Sequence, residues 1–408
     1  MTQNSRDTPT PVWRAPGMPA LLVLTAAGFG GFIALIPVAP LWAIQGGATE
    51  AGSGFVNGVL LLVTVMTQPF VPRLLERLGT GRVLAAGLAL LGVPPLLLLI
   101  SDQLGWILAI SAVRGVGFGI LTVTGSTVVA NLVDRAQHGA AVGIYGAAIA
   151  IPQIFLAPTA TLLAETVGFW AVFALGALPL LGISSAPRLA RILRAQAAER
   201  ELLPATGSTP VTAPSGARSQ RRMLAVTLLR PMMLLSGVTL AGGALLTFAP
   251  QMSSSPAATA GALALLTLSA AITRWGVGGL SDRYGAGRFL WPLVVISVAG
   301  LLAIAHAVQN PDSTGILLFL LGMTLVGIAY GGLQNLTLVL SLAAVQRKQY
   351  GTASAVWNIG FDLGTALGSV LIGTLATAFA FPPALLIAAA ISLLTLPLAF
   401  IRGPRVSD

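Results

Sequence analysis

The chain has 408 residues, 55% of them hydrophobic and only 8% charged, with a formal net charge of +10 and a mean hydropathy of +0.88. A soluble domain carries about 25% charged residues, so this chain has too little charge to cover itself with a solvated surface and reads as an integral membrane protein. It has no cysteine and only two histidines, His138 and His306, which excludes disulfides, thiolate metal sites and a histidine-rich metal centre.

A spanning helix needs about 20 mostly apolar residues. Residues 1–17 are a polar, proline-containing tail with no helical period, expected to be disordered. Twelve apolar stretches follow, at 18–42, 52–72, 81–101, 104–130, 139–163, 167–187, 224–250, 257–280, 287–308, 314–342, 351–379 and 382–401. The first is too long and proline-rich for a signal peptide, and no small-residue cleavage site follows a basic start. Residues 188–222 are the longest polar segment, beginning as RLARILRAQAAER and continuing rich in Pro, Ser, Thr and Gly. The basic part suits either the anionic inner leaflet or a solvated tether. The predicted organisation is a six-helix bundle at 18–187, a linker at 188–222, a second six-helix bundle at 223–402 and a tail at 403–408.

The basic residues set the orientation. With the N-terminus inside, nineteen of the 22 lysines and arginines fall in cytoplasmic segments, as the positive-inside rule requires. The outer loops hold Glu50, Asp102, Glu165 and Asp312 and no base. Arg114, Arg230 and Arg274 remain within apolar spans. Both termini are therefore expected to be cytoplasmic. All but one of the basic residues are arginine, a bias of GC-rich coding that points to a bacterial cell membrane. Lys348 is the single lysine and Gln349 follows it, so no phosphate loop ending in Gly-Lys-Ser/Thr exists. No stretch interleaves bases and aromatics as a nucleic-acid groove would, and no paired carboxylates or nucleophile–histidine spacing marks an enzyme. Neither a nucleic-acid partner nor a cofactor is expected.

The two halves repeat. Arg77–Arg82 reads RLGTGR and Arg283–Arg288 reads RYGAGR, with Glu76 opposite Asp282 and Gln68 opposite Arg274. After about six extra residues near Asn310–Thr314, Gly115, Gly119 and Leu121 match Gly327, Gly331 and Leu333, and Arg135, Gln137 and Gly139 match Arg347, Gln349 and Gly351. These residues resemble the major facilitator superfamily, whose signature between the second and third helices is G-x-L-x-D-R-x-G-R. The second half keeps Gly278, Leu280, Asp282, Arg283 and Gly285, whereas the first has Pro72 for the leading glycine and Glu76 for the aspartate. The resemblance implies an all-α fold of 12 transmembrane helices in two six-helix bundles. It also implies a cytoplasmic latch, built here from Glu76, Arg77, Arg82, Asp134, Arg274, Asp282, Arg283 and Arg288. The run Arg114-Gly115-Val116-Gly117-Phe118-Gly119 is similar to a fourth-helix motif of proton-coupled members. Pro152 and Pro158 remain of a fifth-helix antiporter kink, with Ile151 where glycine is expected. Phe361–Gly364 and Arg230-Pro231 resemble the bacterial efflux branch, including its sugar-efflux-like, drug-antiporter and metallophore-exporter-like members.

Ionisable groups at membrane depth are functional candidates by default. Asp362 is the one acid inside a span, roughly 16 Å past Gly351 at 1.5 Å per residue. It shares a polar stripe with Ser354, Asn358, Thr365 and Ser369, while Gly360, Gly364 and Gly368 occupy another face. Asp362 is either a proton or substrate group or a structural carboxylate bonded to a neighbouring helix. Arg114 is its candidate partner or a site for an anionic group, and a purely structural pair is the alternative. Arg274 is expected near the inner surface. Substrate-cavity candidates are Phe29, Phe32, Asn57, Thr122, Tyr145, Gln153, Phe248, Tyr330, Gln334 and Asn358; single aromatics among them also suit ordinary packing.

The resemblance implies a secondary active transporter, a proton-coupled exporter of a small organic molecule working by rocker-switch alternating access, and a monomer in the lipid bilayer is expected. The runner-up is a proton-coupled importer of a sugar, opine or organic anion. A non-transporting membrane receptor or scaffold is the rival from another class, and leaves the buried polar stripes without a use. The first helix carries no acid, which favours a neutral, zwitterionic or anionic cargo.

Overall fold

The computed structural model describes residues 11–132, 137–202, 217–253, 255–310, 313–345 and 349–401. Asp134, residues 203–216 of the expected linker and the tail 403–408 lie outside the described residues, as does the side chain of Asp282. Among the described residues all regular structure is helical. Twelve helices are long and apolar enough to cross a membrane: α1 Met18–Gln45, α2 Glu50–Leu78, α3 Thr80–Ile100, α4 Leu104–Val129, α5 Gly143–Thr166, α6 Phe169–Gln196, α7 Thr227–Met252, α8 Pro256–Ser281, α9 Gly287–Gln309, α10 Thr314–Ala343, α11 Thr352–Phe379 and α12 Phe381–Phe400.

Local chemistry sets several helix ends in matched pairs. Thr49 caps α2 by accepting from the Gly52 amide at 3.2 Å, and Ser255 caps α8 by accepting from the Ala258 amide at 3.3 Å, each satisfying an otherwise orphaned donor. At the other ends of these two helices, Gly79 and Gly285 have φ of 80° and 84°, a conformation that side chains with a Cβ resist. The two Arg-x-Gly-x-Gly-Arg turns thus depend on their first glycines. Pro40 has no N–H to offer the Ile36 carbonyl. Asn57 of α2 supplies the missing donor, its Nδ2 lying 2.7 Å from that oxygen.

The repeat extends to tertiary packing. A Cβ on Gly115 or Gly119 of α4 would meet the Leu60 and Thr64 carbonyls of α2; one on Gly327 or Gly331 of α10 would meet the Leu266 and Ala270 carbonyls of α8. Leu60 and Thr64 are the repeat partners of Leu266 and Ala270, so the same glycines admit the same close helix approach twice. Small residues commonly serve this purpose in membranes, where lipid supplies no hydrophobic drive between helices. Tyr145 of α5 lies against Gly125 of α4, and its partner Trp357 of α11 donates to Thr337 of α10 at 3.1 Å.

Between the first and last six helices the principal seam joins α2 to α11, which run past each other in opposite directions. Ala51 N donates to Thr377 Oγ1 at 2.7 Å, Gly54 and Gly58 lie against Ser369 and Val370, and Gln68 meets Asp362. Asn57 and Gln251 add bonds to Thr247 and Ser53 at 3.0 and 3.3 Å. All these inter-half bonds among the described residues use α2 between Glu50 and Gln68. At the arginine-rich end, Gly276, Gly279, Gly285 and Gly287 have open space where a Cβ would stand.

The basic helix expected at the start of the linker exists, spanning Ala186–Leu202 and overlapping the end of α6. Instead of standing free of the bundle, it buries Leu189 and packs Ala190 against Gly81 at the start of α3. Before α1, residues Val12–Arg14 form a short turn that buries Val12.

The paired glycines make a direct prediction. Gly331→Ala should lower the thermal unfolding midpoint in detergent, with overpacking on the order of 1–3 kcal/mol. Gly276→Ala has open space and should hold or raise it, by about 0.5–1 kcal/mol. Equal midpoints for wild type and Gly331→Ala would show that the close approach is not constrained.

Candidate functional site

A partly open cavity lies between the halves, walled by α1, α5, α7, α8 and α10. Ile33, Leu246 and Leu266 contribute apolar wall, while Gln153, Thr267, Arg274, Tyr330 and Gln334 contribute polar groups. Of the ten expected cavity residues, it brings together Gln153, Tyr330 and Gln334. The stripe on α10 therefore faces the cavity at Tyr330 and Gln334, with Thr337 and Ser341 instead bonded back to their own helix at 2.6 and 2.7 Å.

Arg274 stands in this wall, where the sequence places it among latch residues. Its Nη1 donates to Gln334 Oε1 at 3.1 Å, and its backbone carbonyl accepts from Asn335 Nδ2 at 2.9 Å. Tyr330 lines the same cavity as Arg274. Its ring packs against Phe361 at 6.0 Å and against Gly242, where a side chain would collide with it.

Asp362 is 5% exposed. Its Oδ2 accepts from Gln68 Nε2 at 2.8 Å, a bond joining the two halves. Among the described residues no ion pair joins Asp362 to Arg114, the partner anticipated from sequence. Arg114 is 1% exposed, and its Nε and Nη2 have no acceptor among the described residues. The guanidinium lies one turn from Phe118, which stacks on Phe32 at 3.8 Å and meets Phe29 edge-on at 5.3 Å. Phe29 and Phe32 thus build an aromatic cluster with α4 beside the cavity rather than lining it.

The other expected cavity residues serve packing or the seam. Phe248 is fully buried and packs its ring at a tilt against Phe381 at 5.4 Å. Asn57 is committed to Ile36 and Thr247. Tyr145 is buried between α4 and α5. Thr122 and Asn358 bond to carbonyls of their own helices at 3.2 and 3.0 Å. Glu76, Arg77, Arg82, Arg283 and Arg288 are exposed at the arginine-rich end, where Arg283 lies over the Tyr284 ring at 5.3 Å. Asp134 and the Asp282 side chain are outside the described residues, and Arg274 is away from this group.

Sequence reasoning missed Ala150, Ile33, Leu246 and Leu266 as wall residues, since an apolar side chain in an apolar span carries no signal. Arg274 was visible as a charge in a span, but its direction was not.

The sequence matches the Major Facilitator Superfamily over residues 21–337. A probable 4-methylmuconolactone transporter of Cupriavidus pinatubonensis (strain JMP 134 / LMG 1197) is 33% identical over 111 residues, 27% of this chain and 24% of that one. The chain thus matches about a quarter of that relative's length. Among solved structures, a D-xylose–proton symporter has a TM-score of 0.73 at 14% identity, covering 95% of this chain and 98% of that one. A bacterial homologue of the human lysosomal transporter Spinster, inward-facing and unoccupied, has a TM-score of 0.68 at 13% identity over 94% and 95% of the two chains. These two share the fold.

The Gln68–Asp362 bond can be weighed by a double-mutant cycle. Gln68→Leu should cost about 1.5–3 kcal/mol, as for a bond to a charged group, and less in an Asp362→Asn background. Thermal unfolding in detergent measures both; identical losses in the two backgrounds would mean that the bond contributes nothing.

Proposed function

The chain belongs to the major facilitator superfamily, and on that premise we propose that it is a proton-coupled secondary transporter, carrying a small organic molecule across a bacterial cell membrane by alternating access. It is a transporter and not an enzyme. Secondary transporters bind cargo near the membrane midplane between their halves and rock one half against the other.

The observation that carries the proposal is Asp362, a carboxyl group at membrane depth on the seam between the halves. Its bond to Gln68 is charge-assisted while the carboxylate is ionised, and such bonds are about twice as strong as neutral ones. Proton arrival therefore loosens an inter-half contact, which is what coupling requires. By the positive-inside rule the arginine-rich end is cytoplasmic, as are both termini. The seam from Glu50 to Gln68 then closes the outer side, and the cavity belongs to an inward-open state. Closing the inner side would bring the exposed Glu76, Arg77, Arg82, Arg283 and Arg288 into the latch, with Asp134 and Asp282 as further acids. The protein works as a monomer.

Two directions have support. The Arg114 run favours export in exchange for protons. The cavity favours uptake of an organic anion together with protons, and so does the partial likeness to a muconolactone transporter. With Arg274 positive and Asp362 negative the site carries no net charge, so an arriving anion leaves an excess that a proton on Asp362 cancels. Uncompensated charge is costly at membrane depth. Uptake with protons is the better supported direction, because the cavity is what the cargo meets.

Asp362→Asn should abolish accumulation driven by a pH gradient in proteoliposomes while sparing counterflow of the same solute. Accumulation undiminished in this variant would show that the coupled proton travels elsewhere.

A further inference from the structure

We propose that Arg274 holds the carboxylate of the cargo, and that the cargo is a small monocarboxylate with an apolar body. The proposal rests on reading the chain as a transporter whose cargo occupies the cavity, and not on the direction of transport.

The repeat supplies the argument. Gln68 on α2 and Arg274 on α8 occupy matching positions, each on a helix at a boundary between the halves. At the first boundary the residue facing Gln68 is Asp362 of α11, at 2.8 Å. The residue of α5 that matches Asp362 is Ala150, in the register that pairs Gly139 with Gly351 and Tyr145 with Trp357. Ala150 and Arg274 both line the cavity. One boundary therefore has an acid facing a neutral amide, while at the other a cation and a methyl group line one cavity. The carboxylate that completes the first is part of the chain, and the place of the second is left as space.

The electrostatics agree. A guanidinium offers five N–H donors in a planar fork that matches a carboxylate. One nitrogen of Arg274 is bonded to a neutral amide oxygen, Gln334 Oε1. Among the described residues no carboxylate pairs with it, and Asp362 is already engaged by Gln68. A cation beside apolar wall at membrane depth is costly until an anion joins it. Since Arg274 is the one cation in the wall, one anionic group is matched and a second is not. Ile33, Leu246 and Leu266 suit a compact apolar body, with Gln153 positioned as a further polar contact.

The test uses the purified full chain with a panel of C4–C10 aliphatic, cyclic and aromatic monocarboxylates, each beside its amide, read as ligand-induced thermal stabilisation. Some of the acids should stabilise the wild type, and their amides should not. Arg274→Gln should raise the half-saturating concentration about tenfold or more, consistent with loss of a charge-assisted bidentate contact, while Arg274→Lys keeps part of the affinity. Ala150→Asp installs the missing carboxylate, so it should fold with an equal or higher unfolding midpoint and lose the ligand. The proposal is overturned if no acid on the panel binds the wild type or the amides bind equally well. It is equally overturned if Arg274→Gln or Ala150→Asp keeps wild-type affinity. Counterflow in proteoliposomes separates the two levels: flux of a solute insensitive to Arg274→Gln removes the carboxylate site alone, and no flux of any solute in a broad panel removes the transporter reading.

Discussion

An ionised side chain at membrane depth has to find its partners inside the protein, because hydrocarbon offers none. That constraint organises the middle of this molecule. Asp362 takes a hydrogen bond from Gln68 across the boundary between the halves. Arg274 takes the amide oxygen of Gln334. Arg114 is buried with Nε and Nη2 lacking an acceptor among the described residues. The one satisfied anion thus lies on the seam, and the under-satisfied cations lie in or beside the cavity. Such a site is receptive to negative charge.

The helices can serve this site because glycine lets them approach closely at matched places. Gly115 and Gly119 bring α4 onto α2, and Gly327 and Gly331 bring α10 onto α8. Each half is thereby a rigid unit of similar build, and what differs between them lies at their boundaries. The α2–α11 boundary is zipped from Ala51–Thr377 to Gln68–Asp362. The cavity opens beside the α5–α8 boundary, with Ala150 and Arg274 in its wall. Function arises where the repeat is broken: a charge stands at position 274 where its partner is an amide, and a methyl at 150 where its partner is an acid.

Much of the fold was legible in the sequence, because span length and the repeated Arg-x-Gly-x-Gly-Arg turns are local signals. Partner choice between the halves was less legible. Depth along a helix follows from residue count, and depth alone made Arg114 a reasonable partner for Asp362. Which way each side chain turns depends on how two bundles meet, and Gln68 of α2 won that contact. The same holds for Arg274, which stands in the cavity wall, since a charge some turns from a helix end reaches either the interface or a cavity according to its azimuth. Asn57 shows the opposite case. Its bond to Ile36 follows from the missing N–H of Pro40, yet only the tertiary structure shows that Asn57 is near enough to supply it.

The central claim is that the two ends of the molecule open and close in opposition, with Asp362 on the seam between them. Leu78 and Tyr284 are exposed repeat partners at the arginine-rich end, and Gln45 and Ala378 are exposed across the opposite end. The chain has no native cysteine, so Leu78→Cys with Tyr284→Cys, and Gln45→Cys with Ala378→Cys, each carry two spin labels without further change. Double electron–electron resonance should give a long distance for the first pair and a short one for the second in the state described. A subpopulation with both relations reversed should grow or shrink with pH, and lose that response in Asp362→Asn. Distance distributions at both ends that stay fixed across pH would contradict the account.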